Sequence, residues 1–216
     1  MKLVLFDLDE TLLSGDTEGE WVNYMLGRGM VKDDSFLEKM SAFTNNYREG
    51  RLDIYEYSNF LLSPLTGIKV EDLQNSVEEF SKEVVRKLCD ETTETLLKTH
   101  ASDECIITSG TLSFLVKEIS GELGIQHYFG TDAEIIEGSY TGKVSGIPNF
   151  SDEKVRRIRG WIGSKVFREI HAYSDSIHDL ALLEFSDFPT AVNPDIQLTK
   201  IAERENWKID RTRIKD

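Results

Sequence analysis

Lys2-Leu3-Val4-Leu5-Phe6-Asp7-Leu8-Asp9-Glu10-Thr11-Leu12-Leu13 decides the reading of this chain. Leu3 to Phe6 is a short apolar run bounded by charge, the pattern of a strand buried on both faces. Two carboxylates follow, Asp7 and Asp9, where the strand ends and the chain turns. A carboxylate at the carboxyl end of a central parallel strand lies where open α/β sheets place their ligands. Two acids so close repel one another, and a divalent cation held by oxygen ligands relieves the repulsion.

Three later stretches repeat the pattern of an apolar strand with polar residues at its tip. Glu104 to Thr108 runs into Ser109-Gly110-Thr111 ahead of a helix through Leu112, Leu115, Val116 and Ile119. A hydroxyl, a glycine and helix-start amides there read either as an anion site or as a plain helix cap after a strand. Ser151-Asp152-Glu153-Lys154 opens a helix through Val155, Ile158 and Trp161, with Ser151 as its candidate N-cap. A lysine in a first turn opposes the helix dipole and so points to a use other than helix stability. Ile170 to Tyr173 ends in Ser174-Asp175-Ser176-Ile177-His178-Asp179, whose two acids, four apart, face one cation. His178 reads as a packing residue. Tyr128 to Ala133 reads as a strand, Glu137-Gly138 as the turn of a hairpin, and Thr190 to Val192 as a last strand before a helix. The tail from Asp210 is charged and reads as frayed.

Between Ser14 and Asp90 the spacing is helical throughout. Trp21, Tyr24 and Met25 form one stripe, and Phe36, Met40, Phe43 and Tyr47 another. Leu73, Val77, Phe80, Val84 and Leu88 form a third. A βαβ crossover needs a single helix, so the surplus predicts a helical insertion of about four helices over 15–90, with a core domain from 1–14 and 91–216. The expected fold class is α/β: a Rossmann-like parallel-sheet core with an inserted α-helical cap.

The chain has 216 residues, with 39 Asp and Glu against 25 Lys and Arg, a formal net charge of −14. That sign argues against nucleic acid or an anionic membrane as partner, and no run is long enough to span a bilayer or resembles a signal peptide. An anionic substrate would need a local positive centre. Cys89 and Cys105 lack metal-type spacing and read as buried reduced thiols, consistent with a cytoplasmic protein.

The string Phe6 to Leu12, followed in order by Thr108, Lys154 and Asp175 with Asp179, resembles the four motifs of the haloacid dehalogenase-like phosphatases. The likeness covers essentially the whole chain. It is nearest the subgroup with a helical cap after the first motif, to which phosphoserine and some histidinol-phosphate phosphatases belong. The resemblance implies a phosphomonoesterase with Asp7 as nucleophile and Asp9 as general acid/base. Thr108, Ser109, Gly110 and Lys154 would hold the phosphoryl group. Mg2+ would be bound through Asp7, Asp9 and Asp175, with Asp179 supporting its shell. Lys143 and Lys165 are the other candidates for the lysine. Asp16 either binds a substrate amine or caps the first insertion helix, and Arg48 either meets a substrate carboxylate or is a solvated charge. The implied substrate is a small phosphorylated metabolite, and the protein would be a monomer or homodimer. A phosphotransferase or mutase using the same intermediate, and a receiver-like phosphate-binding domain, are the alternatives.

Overall fold

The computed structural model describes residues 1–31 and 35–213, apart from the side chain of Arg48. Six parallel strands form the central sheet: β1 (Lys2–Phe6), β2 (Glu104–Leu112), β3 (His127–Thr131), β6 (Glu169–Ser174), β7 (Phe188–Val192) and β8 (Lys208–Asp210). Their spatial order is β3-β2-β1-β6-β7-β8. β1 is central because its apolar residues serve two faces at once. Val4 and Phe6 enter one hydrophobic cluster, whereas Leu3 and Leu5 enter the other, as the two-residue period of a strand requires. The expected α/β parallel-sheet class is the observed one.

Helices α1 (Thr17–Gly27), α2 (Ser35–Arg48), α3 (Ile54–Leu62) and α4 (Val70–Leu88) lie between β1 and β2. The chain leaves and returns at one point, where the Ser14 amide donates to the Leu88 carbonyl at 2.9 Å. α5 (Glu91–Thr99), α6 (Ser113–Glu122), α7 (Asp152–Ile162), α8 (Leu180–Phe185) and α9 (Ile196–Arg204) alternate with the later strands. The insertion shares its apolar interior with the sheet. Trp21, Met25, Leu61, Phe80 and Val84 belong to the same cluster as Val4, Phe6, Ile107 and Val116.

Several local expectations change. The second strand does not stop at Thr108. It runs on to Leu112, shifting register against β3 between Thr108 and Leu112, so Ser109-Gly110-Thr111 is strand and not the start of a helix. The hairpin β4 (Ala133–Ile136) and β5 (Ser139–Val144) turns at Glu137-Gly138 as read, with positive φ at both residues. It leaves the main sheet, however, and joins the insertion: Gly67 N donates to Tyr140 O at 2.8 Å and Val70 N to Gly138 O at 3.0 Å. The chain is not frayed at Asp210, because that residue closes β8 in register with Val192 of β7. Both cysteines are free, and both are only half-buried. Among the described residues no helix is long and apolar enough to cross a membrane.

Gly130 of β3 lies against the β2–α6 junction. A Cβ there would stand 2.6 Å from Ser113 Cα and 2.7 Å from Thr111 O, both backbone atoms that cannot swing away. Gly130→Ala is therefore expected to destabilise the fold by about 1–3 kcal/mol, read as a lower urea midpoint. An unchanged midpoint would show that this junction has slack.

Candidate active site

β1 and its neighbours end together. Phe6 is in register with Ile107 on one side and Tyr173 on the other, and Asp7, the next residue, donates its amide to Tyr173 O at 3.0 Å. The chain then makes one π-type turn over Leu8–Leu12, with Glu10 at φ 56°. That turn brings Thr11 back over Asp7. The Thr11 hydroxyl lies 3.1 Å from Asp7 Oδ2 and 3.2 Å from Asp175 Oδ1, and it accepts the Asp175 amide at 2.9 Å. Two carboxylates from positions far apart in sequence thus meet across one hydroxyl.

Lys154 arrives from α7. Its Nζ donates to Asp7 Oδ1 and to Asp179 Oδ2, each at 2.8 Å, and the residue is 3% exposed. Burial alone would lower the ammonium's pKa, but the charges of Asp179 and Asp7 and their hydrogen bonds outweigh it and hold the value above the ordinary lysine range. For Asp7 burial is the largest influence and pushes its pKa up, while Lys154 pulls it down. Ser151 begins α7 without a capping bond from its side chain, at φ 52°. The tight entry carries Lys154 into the site.

Asp9 sits beside this pair within its own set of donors. Its Oδ1 accepts the Thr17 amide at 2.6 Å, and its Oδ2 accepts from the hydroxyls of Thr111 (2.7 Å) and Ser109 (3.3 Å). Thr108, expected at the phosphate, has its hydroxyl accepting from Asn149 Nδ2 at 3.1 Å. Because the strand continues past Thr108, neighbouring side chains alternate faces, and Ser109 is the one that reaches a strand-tip carboxylate. Gly110 gives its carbonyl to the Thr131 hydroxyl at 2.6 Å. An added Cβ at Gly110 would meet only the Phe150 ring, at 3.7 Å.

Asp179, expected to support a metal shell, pairs with Lys154, and Ser174 Oγ donates to its carboxylate at 2.8 Å. Asp16 caps α1, its Oδ1 accepting from Glu18 and Gly19 amides at 3.0 Å each. The Arg48 side chain is outside the described residues. His178 packs against Tyr47 and Phe150, with ring centroids at 4.5 and 5.1 Å. The Tyr47 hydroxyl also lies 2.8 Å from Ser176 Oγ, so α2 touches the loop that bears Asp175.

Among the described residues, Asp7, Asp9, Asp175 and Asp179 outnumber the ammonium of Lys154 that lies between two of them. The surplus of negative charge and the all-oxygen donors suit a hard divalent cation. Among the described residues no three His, Cys, Asp or Glu side chains form a cage by themselves. A cation here would be held by the Asp7 and Asp175 carboxylates and the Asp9 carbonyl, with water completing its shell, which is the habit of Mg2+.

The chain matches the haloacid dehalogenase-like hydrolase family over residues 4–184. It belongs to that family. A histidinol-phosphatase of Neisseria meningitidis serogroup C (strain 8013) is 31% identical over 215 residues, covering 96% of this chain and 97% of that protein. A phosphoserine phosphatase of Mycobacterium tuberculosis is 28% identical, covering 97% of this chain and 70% of that one. Among solved structures, a Bordetella pertussis Tohama I protein of unknown function superposes with TM-score 0.87 at 32% identity, over 97% of this chain and 98% of that one. A substrate-bound phosphoserine phosphatase shares the fold, with TM-score 0.68 at 19% identity over 97% of this chain and 93% of that one. Within this hydrolase fold Asp7, Lys154, Asp175 and Asp179 lie together, with Asp9 held beside them.

Sequence reading placed Thr11 and Thr111 inside motif strings without giving either a role of its own, and it missed Glu18. Which carboxylate each hydroxyl meets depends on segments distant in sequence. Glu18 resembles an ordinary first-turn acid, but it is buried. Its Oε1 accepts the Leu112 amide at 3.2 Å and its Oε2 the Tyr57 hydroxyl at 2.8 Å. Burial, then the charges of Asp9 and Asp16, push its carboxyl up to about 8. The folded protein therefore keeps a proton that the unfolded chain releases near its ordinary value, and this group makes stability fall as pH rises through that window. Gln at 18 has no such titration. It keeps an acceptor for Leu112 N–H and offers a donor to the Tyr57 oxygen. The Tm of Glu18→Gln relative to the parent should rise steadily from about pH 5 to about pH 8. A difference that is flat in pH would mean that Glu18 ionises normally.

Proposed function

We propose that the chain is a Mg2+-dependent phosphomonoesterase that works through an aspartyl-phosphate on a small phosphorylated metabolite. The substrate class is an amino-acid or amino-alcohol phosphate, such as phosphoserine or histidinol phosphate. The observation that carries the reading is the meeting of Asp7, Lys154 and Asp175 around one buried point, with Asp9 beside it.

In this reading Asp7 Oδ attacks phosphorus in line while the bond to the leaving oxygen breaks, and Asp9 gives that oxygen a proton. Asp9 then takes a proton from water. The hydroxyl oxygen so formed attacks phosphorus and the Asp7–phosphorus bond breaks, releasing phosphate and restoring both acids. Thr17 N–H and the Thr111 hydroxyl aim the Asp9 carboxyl. Lys154 balances Asp7 before reaction and the phosphoryl oxygens during it, a form of positioning and electrostatic help that dominates phosphoryl transfer. When bound, Mg2+ offsets the repulsion between the nucleophile and an anionic substrate. Ser109, in place of Thr108, supplies the phosphate-binding hydroxyl, and Thr108 with Asn149 supports it from behind.

Residues 15–90 serve as the cap and set specificity, since the strand-tip residues address only the phosphate. Similarity to the Neisseria histidinol-phosphatase over nearly the full length of both chains supports a substrate bearing a cationic group. Asp16 both caps α1 and is exposed at the cap entrance, so it can meet such a group.

Asp7→Asn should abolish turnover of p-nitrophenyl phosphate with the circular dichroism spectrum unchanged. Substantial remaining activity would remove Asp7 as nucleophile. Ser109→Ala should lower kcat by about 100-fold and Thr108→Val by much less; the reverse order would restore Thr108 to the phosphate. EDTA should silence the enzyme and added Mg2+ revive it, whereas activity persisting through exhaustive chelation would exclude the metal-dependent scheme.

A further inference from the structure

The turn that carries Asp9 and Thr11 has a problem of its own. Its carbonyls from Glu10 to Leu13 end a single turn, and such carbonyls find no partner within it. Buried carbonyls require donors; the Thr93 hydroxyl supplies one to Leu12 O at 2.6 Å, and the others come from the far end of the sequence. Arg213 Nη1 donates to the carbonyls of Glu10 (3.1 Å), Thr11 (2.6 Å) and Leu13 (3.2 Å), and Nη2 donates to that of Leu12 (3.2 Å). The remaining edge of the guanidinium grips Asp90, with Nε to Oδ2 at 2.6 Å and Nη2 to Oδ1 at 3.1 Å. The Arg213 side chain is only 9% exposed.

The segment that delivers it is anchored independently. Arg213 N donates to Asn193 Oδ1 at 3.1 Å, Thr212 N to Asp210 Oδ1 at 3.1 Å, and the Thr212 and Thr92 hydroxyls lie 2.8 Å apart. A surface ion pair with Asp90 would occupy one edge of the fork and leave the rest in water. Here the other edge is spent on four consecutive carbonyls of one turn. A planar group with five fixed donors suits that task, and an ammonium does not.

The location gives the contact its consequence. In front of the turn, Thr11 links Asp7 to Asp175. Behind it lies Asp90, the N-cap of α5, just past the point where the insertion rejoins the sheet. We infer that Arg213 is a positioning residue that holds the Asp9–Thr11 turn in register with Asp7 and pins it to the insertion's return point. The inference rests on the roles given above to Asp7 and Asp9.

The test uses the full chain with Mg2+ and p-nitrophenyl phosphate. Arg213→Ala should lose about 10- to 100-fold in kcat, as misplacement of a reacting group does, with KM changed by less than about 2-fold. Low-millimolar guanidinium should recover several-fold of that loss, with no gain for the parent. Arg213→Lys, which keeps the charge and loses the fork, should fall nearly as far. A folded Arg213→Ala with parental kcat overturns the inference, as does a loss that follows the unfolded fraction and ignores guanidinium. If Arg213→Ala fails to fold, Arg213→Lys decides: parental kcat in that variant overturns it. Asp7→Asn run in parallel separates the two readings, because activity there defeats the nucleophile assignment whatever Arg213 does.

Discussion

The ammonium of Lys154, lodged between Asp7 and Asp179, is the contact on which the rest of the site depends. Two buried carboxylates, one just after β1 and one in the turn that leads from β6 into α8, would repel each other and be costly to desolvate. One cation within 2.8 Å of both makes the arrangement tenable. Removing it would leave uncompensated buried charge, so α7 has to enter at one angle and one height. The positive φ at Ser151, the Arg157 bonds to Gly130 O and Asp132, and the Asn149 bonds to β2 and β3 all serve that placement.

Function follows from an imbalance that remains after Lys154 is counted. Among the described residues the site carries more carboxylates than cations, and its candidate ligating atoms are all oxygen. This is a poor resting place for an anion without help and a good one for a hard divalent ion. The same surplus reaches the first turn of α1, where Glu18 resolves it by retaining its proton and bonding both to α3 and to the end of β2. Core and insertion are therefore linked by polar contacts at the site as well as by a shared apolar cluster. The Tyr47 contact with Ser176 adds a second polar link, from α2 to the Asp175 loop.

Where the structure adds to the sequence reading, it does so for a common reason. Thr108 and Ser109 are adjacent hydroxyls at a strand tip, and which of them faces the acids depends on where the strand stops. The sequence signal for that end, a glycine at 110, is misleading because the strand continues through it. Asp179 carries the same chemistry as Asp175, and only the position of Lys154 separates a counter-ion from a candidate metal ligand. The hairpin at 133–144 is legible as a hairpin, but its packing partner is not, since that partner is residues 65–70 of the insertion.

The α/β class, the order of strands along the chain, the helical insertion after β1 and the presence of acids just after β1 and β6 were all determined by local pattern. Apolar periodicity and turn chemistry act over a few residues, and these features need nothing more. Tertiary structure alone decided which hydroxyl meets Asp9, that Asp179 neutralises Lys154, that Glu18 is buried, and that Arg213 reaches back to the turn at 10–13. Each of these depends on side chains brought together from distant segments by packing, and no periodicity within the chain records such a meeting.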